Sequence, residues 1–287
     1  MGIQGPVRAR MVSMKRQMPR RASLLVLFVA IAASFNAIAQ KVVMDGSTGM
    51  LPLASALAAA YRQRVPEAQV ETGKGLGTGA RLRALAEDKI QIALASHGVK
   101  PEELQKANLR VIEVARGAIV FAVNASVPVA GIADAQVCDV YSGKTTSWQA
   151  LGGPDAQVAV LTRPPAEVDP EVIRAKIGCF ADLKETGAAR VMARGGDMAR
   201  ALAETPHAIG MTSMTVVEQS GGKVRALTLN GMAPSADNVK SGHYFLTRDF
   251  LFVVGASPSP EVKRFVDFVL SPEGDRVIQA NGAVPLR

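Results

Sequence analysis

Histidine and cysteine are scarce in this chain of 287 residues, which contains three histidines and two cysteines. His97, His207 and His243 lie far apart, and neither an H-E-x-x-H nor a C-x-x-C spacing occurs. The G-x-S-x-G turn of serine hydrolases and the G-x-x-x-x-G-K-[ST] loop of nucleotide-binding enzymes are also missing. We therefore expect a protein that is not an enzyme and that carries neither a metal nor a cofactor.

Acidic residues are absent from the first 39 residues, which hold six basic residues: Arg8, Arg10, Lys15, Arg16, Arg20 and Arg21. A short apolar run at 24–33 and a small-x-small site, Ala37-Ile38-Ala39, follow them. This order is typical of a secretory signal peptide, and the run is shorter than the about 20 residues of a spanning helix. A membrane anchor or an amphipathic helix is the alternative. We expect cleavage after Ala39 and a mature protein in the periplasm.

Removal of the leader changes the charge of the chain. The whole sequence has 33 basic and 25 acidic residues, whereas the mature chain has 27 and 25, a net charge of +2. The excess of positive charge is therefore a property of the leader. A nucleic-acid partner, which would need a basic face, is not indicated.

Short apolar segments alternate with helical segments at the start of the mature chain. Strands are predicted at 41–44, 69–72 and 90–95, with helices at 51–64 and 80–88. The alternation predicts a parallel sheet, in which ligands bind beyond the carboxyl ends of the strands. The loops at 45–49, 73–79 and 96–98 all fall on that edge.

Two of these loops open helices, whose N-termini offer free N–H donors and a positive dipole end to an anion. Glycines in the second loop let the backbone approach a ligand closely: Gly75, Gly77 and Gly79. Hydroxyl donors lie beside the same amides: Ser47, Thr48 and Thr78. Helix capping by Ser47 and Thr78 is the alternative interpretation. Their common place on one sheet edge favours an anion site.

Several motifs resemble those of the phosphate-type periplasmic binding proteins, the receptors of ABC importers. They are Asp45-Gly46-Ser47-Thr48, Gly75-Leu76-Gly77-Thr78-Gly79, Ile92-Ala93-Leu94-Ala95-Ser96, Tyr141-Ser142-Gly143-Lys144 and Ser271-Pro272-Glu273-Gly274. They follow the family's order, and the resemblance spans nearly all of residues 41–287.

The resemblance implies an α/β Venus flytrap fold with two lobes. Each lobe would be a mainly parallel sheet flanked by helices, and two crossover strands near 118–124 and 247–254 would join them. Lobe one is then expected at 40–118 plus 247–287, and lobe two at 119–246. The ligand would lie in the cleft between the lobes.

The family's ligand positions fall on residues of both lobes. Those of lobe one correspond to Thr48, Gly49, Thr78, Ser96 and His97. The arginine of lobe two corresponds to Arg163, whose planar fork suits an oxyanion because it gives paired, charge-assisted hydrogen bonds. A surface salt bridge is the alternative role for Arg163.

One segment departs from the family pattern. Phosphate receptors follow the arginine with a Gly-Ser-Gly-Thr turn, whereas this chain has Pro164-Pro165-Ala166-Glu167-Val168-Asp169. Proline has no N–H to donate, and Glu167 or Asp169 facing the cleft would repel an anion. Phosphate or a similar oxyanion remains the expected solute, with a small organic solute as the alternative.

The resemblance also implies a partner, an ABC permease of the inner membrane that receives the solute from a monomeric receptor. A flytrap-fold sensory protein without a transport role is the alternative. Cys138 and Cys179 both fall in the predicted lobe two. Because the number of cysteines is even and the compartment is oxidising, the two residues are a disulfide candidate. Two separate buried thiols are the alternative.

Overall fold

The computed structural model describes residues 1–5, 40–96 and 99–287, without the side chains of Thr78 and Glu103. Residues 6–39 of the predicted leader and His97 therefore lie outside the described residues. The strands are β1 Val42–Gly46, β2 Val70–Thr72, β3 Ile92–Ala95, β4 Leu109–Asn124, β5 Gly131–Ile132, β6 Ala159–Thr162, β7 Arg190–Val191, β8 Ala208–Ser213, β9 Val224–Ala226, β10 Thr228–Leu229, β11 Thr247–Gly255 and β12 Ala283–Pro285. The helices are α1 Leu51–Arg64, α2 Thr78–Ala86, α3 Pro101–Lys106, α4 Asp134–Ser142, α5 Val168–Lys176, α6 Gly195–Glu204, α7 Met214–Gln219, α8 Ala236–Lys240, α9 Pro260–Val269 and α10 Pro272–Ala280.

Each lobe is built on a mixed sheet. In lobe one the order is β2-β1-β3-β11-β4, with β1, β2 and β3 parallel and β11 antiparallel to both of its neighbours. In lobe two the order is β4-β8-β6-β7, with β6, β7 and β8 parallel and β8 antiparallel to β4. The sheets are less parallel than expected, because the long strands that join the lobes run against their neighbours.

Strand β4 passes through both lobes. It pairs with β11 from Leu109 to Ala118 and with β8 from Ile119 to Val123. The Tyr244 hydroxyl donates to the carbonyl of Ile119 at 2.9 Å, so a buried side chain holds the strand where its partner changes. Burial raises the pKa of Tyr244.

Separate hydrophobic clusters form the cores of the lobes. In lobe one, helices α1 and α9 pack on the sheet through Tyr61, Phe252 and Phe265. In lobe two, Trp148 is fully buried, and a cluster of aromatic rings joins Phe121, Tyr141 and Phe180. These cores confirm the predicted two-lobed α/β fold. In the described ranges, no helix is long and apolar enough to cross a membrane.

Tyr141, in helix α4 of lobe two, also fixes a strand that leads to the cleft. The Tyr141 hydroxyl donates to the carbonyl of Leu161 in β6 at 3.0 Å, and burial raises its pKa well above the usual value. The neutral hydroxyl therefore holds α4 against the strand that ends immediately before Arg163.

Cys138 and Cys179 form a disulfide between α4 and the short 3-10 helix Gly178–Phe180. Their Cα atoms are 6.2 Å apart, within the usual span of a bridge. The bridge lies within lobe two and closes a segment with a sequence separation of 41 residues.

We expect protein purified without reductant to resist alkylation at both cysteines. Intact mass should be unchanged by iodoacetamide in 6 M guanidinium, and should rise by two alkyl groups after reduction. The denatured, reduced sample is its own control for reactivity. Two alkylated cysteines in freshly prepared, unreduced periplasmic protein would show that the thiols are free.

Candidate functional site

Asp45 organises the glycine-rich loop beneath the cleft. Its side chain is buried, and Oδ1 accepts hydrogen bonds from the amides of Gly46 at 2.6 Å, Gly75 at 2.9 Å and Leu76 at 2.9 Å. The Gly77 amide donates to the Gly46 carbonyl at 2.9 Å. The Gly73 amide donates to the Met44 carbonyl at 2.8 Å, so at least five amides of this region are used inside the protein. The amides left for a ligand begin with Thr78 and Gly79, the first two residues of α2.

Gly75 is required by a neighbouring side chain. A Cβ atom at Gly75 would lie 2.6 Å from Cγ2 of Thr48, and the residue has a φ of +93°. Such a φ is accessible to glycine at little cost. Its lack of a side chain therefore makes room for Thr48.

Ser47 does not cap α1. The N-cap residue is Met50, and no side chain caps that end of the helix. Instead, Oγ of Ser47 lies 3.2 Å from Oγ of Ser96, and both serines are buried. The carboxyl ends of β1 and β3 therefore bring two hydroxyls together at one edge of the sheet, as the sequence predicted.

Arg163 is buried where the two lobes meet. It follows the last residue of β6, and its side chain is 2% exposed, so the ion pair that it forms with Glu167 is not at the surface on the arginine side. Nη2 donates to Oγ1 of Thr48 in lobe one at 3.2 Å, and Nη1 donates to the carbonyl of Met192 at 3.2 Å. The Gly195 amide, which opens α6, also donates to Oγ1 of Thr48, at 3.3 Å. Thr48 is therefore one of the points at which lobe two contacts lobe one near the start of α1.

Glu167 provides the negative charge beside Arg163. One of its carboxylate oxygens lies 2.8 Å from Nη2 of Arg163. The turn Pro164-Pro165-Ala166 returns the chain toward the arginine, and the Glu167 amide donates to the Pro164 carbonyl at 2.9 Å. The acidic residue that was expected to repel an anion is thus an ion-pair partner of the arginine.

A second buried guanidinium, that of Arg248 in β11, also joins the lobes. Nη1 donates to Oδ1 of Asp169 in lobe two at 2.7 Å, and Nη2 donates to the carbonyl of Gly49 in lobe one at 3.1 Å. A Cβ atom at Gly49 would lie 2.4 Å from Nη1 of Arg248, so only glycine leaves space for this contact. Sequence reasoning missed Arg248, although a charged residue in a mostly apolar strand was a signal.

A cavity of 260 Å³ adjoins this arginine. Its walls include Ser96, Thr247 and Arg248 from lobe one and Val168 from lobe two. The Arg116–Asp249 pair lies at its side with an N–O distance of 2.6 Å, and the hydrogen bond to Asp249 raises the pKa of Arg116. A water molecule occupies about 30 Å³ in the liquid, so the cavity has room for a small solute.

The predicted residues that the structure describes gather at one place: Ser47, Thr48, Gly49, Ser96 and Arg163. Thr78 and Gly79 open the adjoining helix α2. Sequence reasoning did not single out Asp45, Gly195 or the fully buried Arg81 of α2. Among the described residues, no cluster of three His, Cys, Asp or Glu could hold a metal ion.

Comparison with known proteins agrees with this architecture. A family model described as a PBP superfamily domain matches residues 32–273. Protein SphX of Synechococcus elongatus is 30% identical over 296 residues, covering 93% of this chain and 86% of that protein. The phosphate-binding protein PstS of Bacillus subtilis is 26% identical over 248 residues, covering 85% and 80%.

A solved structure shows the same relationship. It is the substrate-binding protein assigned to a phosphate ABC transporter of Clostridium perfringens, with bound phosphate. Its sequence identity is 27% and its TM-score 0.72, and the alignment covers 86% of this chain and 100% of that one. The shared two-lobed fold and the extent of these matches show that this chain belongs to the PBP superfamily, in a branch that contains phosphate-binding receptors of ABC importers.

Proposed function

We propose that this protein is the solute-binding receptor of an ABC importer and binds phosphate or a similar oxyanion between its lobes. The observation that carries the proposal is the position of Arg163, a buried guanidinium of lobe two that reaches Thr48 of lobe one. A planar cation at an interdomain contact is suited to an oxyanion with several acceptor oxygens. The relatives named as phosphate-binding proteins favour phosphate.

Lobe one would supply neutral donors to the same solute. Thr48, Ser47 and Ser96 already lie together, and the first amides of α2, at Thr78 and Gly79, open beside them. His97 follows Ser96 in the sequence and stays a predicted ligand residue. We further propose that lobe one comprises residues 40–118 and 247–287 and lobe two residues 119–246, because β4 changes its main partner from β11 to β8 between Ala118 and Ile119.

The cellular setting forms part of the proposal. Export by the leader at 1–39 would release a mature chain that begins at Gln40 in the periplasm. There it would act as a monomer and deliver its solute to an inner-membrane ABC permease. This role is that of a binding protein and not of an enzyme, as in the relatives named for binding or transport.

A small organic solute is the second candidate. Two observations favour it: Pro164 and Pro165 replace the donor turn of phosphate receptors, and a cavity of 260 Å³ lies beside Arg248. Such a ligand would use this cavity as well as Arg163.

Titration calorimetry with inorganic phosphate tests the proposed function. We expect saturable binding of one phosphate per chain, with Arg163 as its main cationic contact. Sulfate and a set of small carboxylates should be titrated in parallel. Saturable binding of an organic solute together with no detectable phosphate binding would establish the second candidate instead.

A further inference from the structure

We propose that the Glu167 carboxylate pairs with Arg163 in the unliganded protein and must be displaced from it by the solute. We call this carboxylate the resident anion of the cleft. The inference rests on the proposed oxyanion-binding function and identifies the residue that limits affinity at that site. Its basis is the ion pair between the two side chains, 2.8 Å long, at a guanidinium that is 2% exposed.

Three of the five N–H donors of Arg163 are used inside the protein. Nη2 serves both Thr48 and Glu167, and Nη1 serves the carbonyl of Met192. Nε is buried without a hydrogen-bond partner among the described residues. Among the described residues, Glu167 is the acidic side chain that contacts this guanidinium. A buried charge without a countercharge is strongly unfavourable, so the carboxylate does in the empty cleft what a bound oxyanion would do.

Glu167 is free to leave this position. Its side chain is 32% exposed, and it occupies the N-cap position of α5 without making a capping hydrogen bond. Its backbone is held independently, because its amide donates to Pro164 and its carbonyl accepts from the Glu171 amide. Rotation of the side chain into water therefore breaks the ion pair and leaves the helix intact.

Asp169, the other carboxylate of this segment, behaves differently. Its side chain is 8% exposed, and its hydrogen bond to Arg248 joins the two lobes. The structure therefore holds this carboxylate away from water and against Arg248. The exchangeable anion is therefore Glu167, and Asp169 is a fixed part of the interlobe contact.

Because the Glu167 carboxylate is tethered beside Arg163, it sets a minimum affinity that a solute needs in order to bind there. Short tethers hold a group at an effective concentration on the order of millimolar, so a solute must compete with Glu167 for Arg163. Weak anions with one acceptor group, such as chloride or acetate, would fail at millimolar concentrations. An oxyanion that engages Arg163 and the hydroxyls of lobe one together would succeed.

Glu167→Gln tests the proposal, because it keeps the size of the side chain and removes its charge. We expect phosphate to bind about 10-fold more tightly to this variant than to the wild type, since the charged competitor is gone. Glu204→Gln is the matched control, because Glu204 is exposed and ends α6, roughly 14 Å from the Gly195 end of that helix. The control should bind phosphate with wild-type affinity. Affinity in Glu167→Gln equal to or weaker than wild type would overturn the proposal.

A second measurement separates this proposal from the proposed function. Glu167→Ala leaves the guanidinium without its carboxylate, so acetate at tens of millimolar should raise the Tm of this variant and leave the wild type and Glu204→Gln unchanged. Acetate rescue without phosphate binding in any variant would refute the phosphate function and support the resident anion. An equal response to acetate in all three proteins would overturn the resident anion, whether or not phosphate binds.

Discussion

Asp169→Ala is expected to lower the free energy of unfolding by about 3–5 kcal/mol, because it leaves a buried guanidinium without its countercharge. The Arg248 and Asp169 side chains are 3% and 8% exposed, so the pair is largely shielded from water. Arg248 would keep its bond to the Gly49 carbonyl, a neutral acceptor that does not balance the charge. Urea denaturation followed by circular dichroism measures the change, with the slope checked for equality between variants.

The neighbouring ion pair provides a matched control. Arg116 and Asp249 join β4 and β11 within lobe one, but their side chains are 42% and 37% exposed. Asp249→Ala should therefore cost no more than about 1 kcal/mol. Equal losses in the two aspartate variants would mean that burial adds nothing to the interlobe pair.

Arg163→Ala is expected to weaken phosphate binding by about 10-fold to 150-fold. Loss of a charged hydrogen bond costs about 1.5–3 kcal/mol, and about 1.4 kcal/mol corresponds to a factor of ten. Thr48 would lose the contact that joins it to β6, but the Gly195 amide would still donate to its hydroxyl. Calorimetric titration with phosphate at one fixed pH and ionic strength gives the ratio of affinities.

Arg194→Ala is the control for charge at the cleft rim. Arg194 is exposed, and its guanidinium lies 3.5 Å from the Lys74 carbonyl across the lobes. Removal of the Arg194 side chain should change the affinity for phosphate by less than removal of the Arg163 side chain does, because water screens an exposed charge. Wild-type affinity in Arg163→Ala would place the bound anion away from this residue, in the cavity beside Arg248.

Helices and strands whose apolar spacing is visible in a short stretch of sequence could be predicted. The helical spacing of Leu53, Leu57 and Tyr61 gave the bounds of α1 that the structure shows. The family resemblance implied a crossover strand near 118–124, whereas β4 begins at Leu109. No local pattern predicted its earlier half, in which Arg110, Glu113 and Arg116 interrupt the apolar residues. Pairing with β11 makes that half a strand, and such pairing is a tertiary effect that a short window does not contain.

The site could be predicted only in part for the same reason. The family resemblance indicated Arg163, and the hydroxyls of lobe one follow strands whose carboxyl ends share one edge of their own sheet. The Arg248–Asp169 pair is 79 residues apart in sequence and meets only when the lobes meet. The pairing of Glu167 with Arg163 depends on the turn at Pro164-Pro165 and on the burial of the arginine. The sequence therefore indicated the acidic residues but not which cation each one neutralises.

The uninterrupted course of β4 has a mechanical consequence. A strand that pairs with β11 as far as Ala118 and with β8 from Ile119 makes the two sheets a single hydrogen-bonded ribbon at the junction. Rotation of one lobe against the other must then be absorbed as twist and bend over several paired residues, and not as free swivelling about a loop. Such a joint limits the angle between the lobes, because bending it distorts the hydrogen bonds of the paired strands. The angle between the two lobes would therefore vary over a narrow range, and the residues on the two sides of the cleft would already face each other when the solute binds.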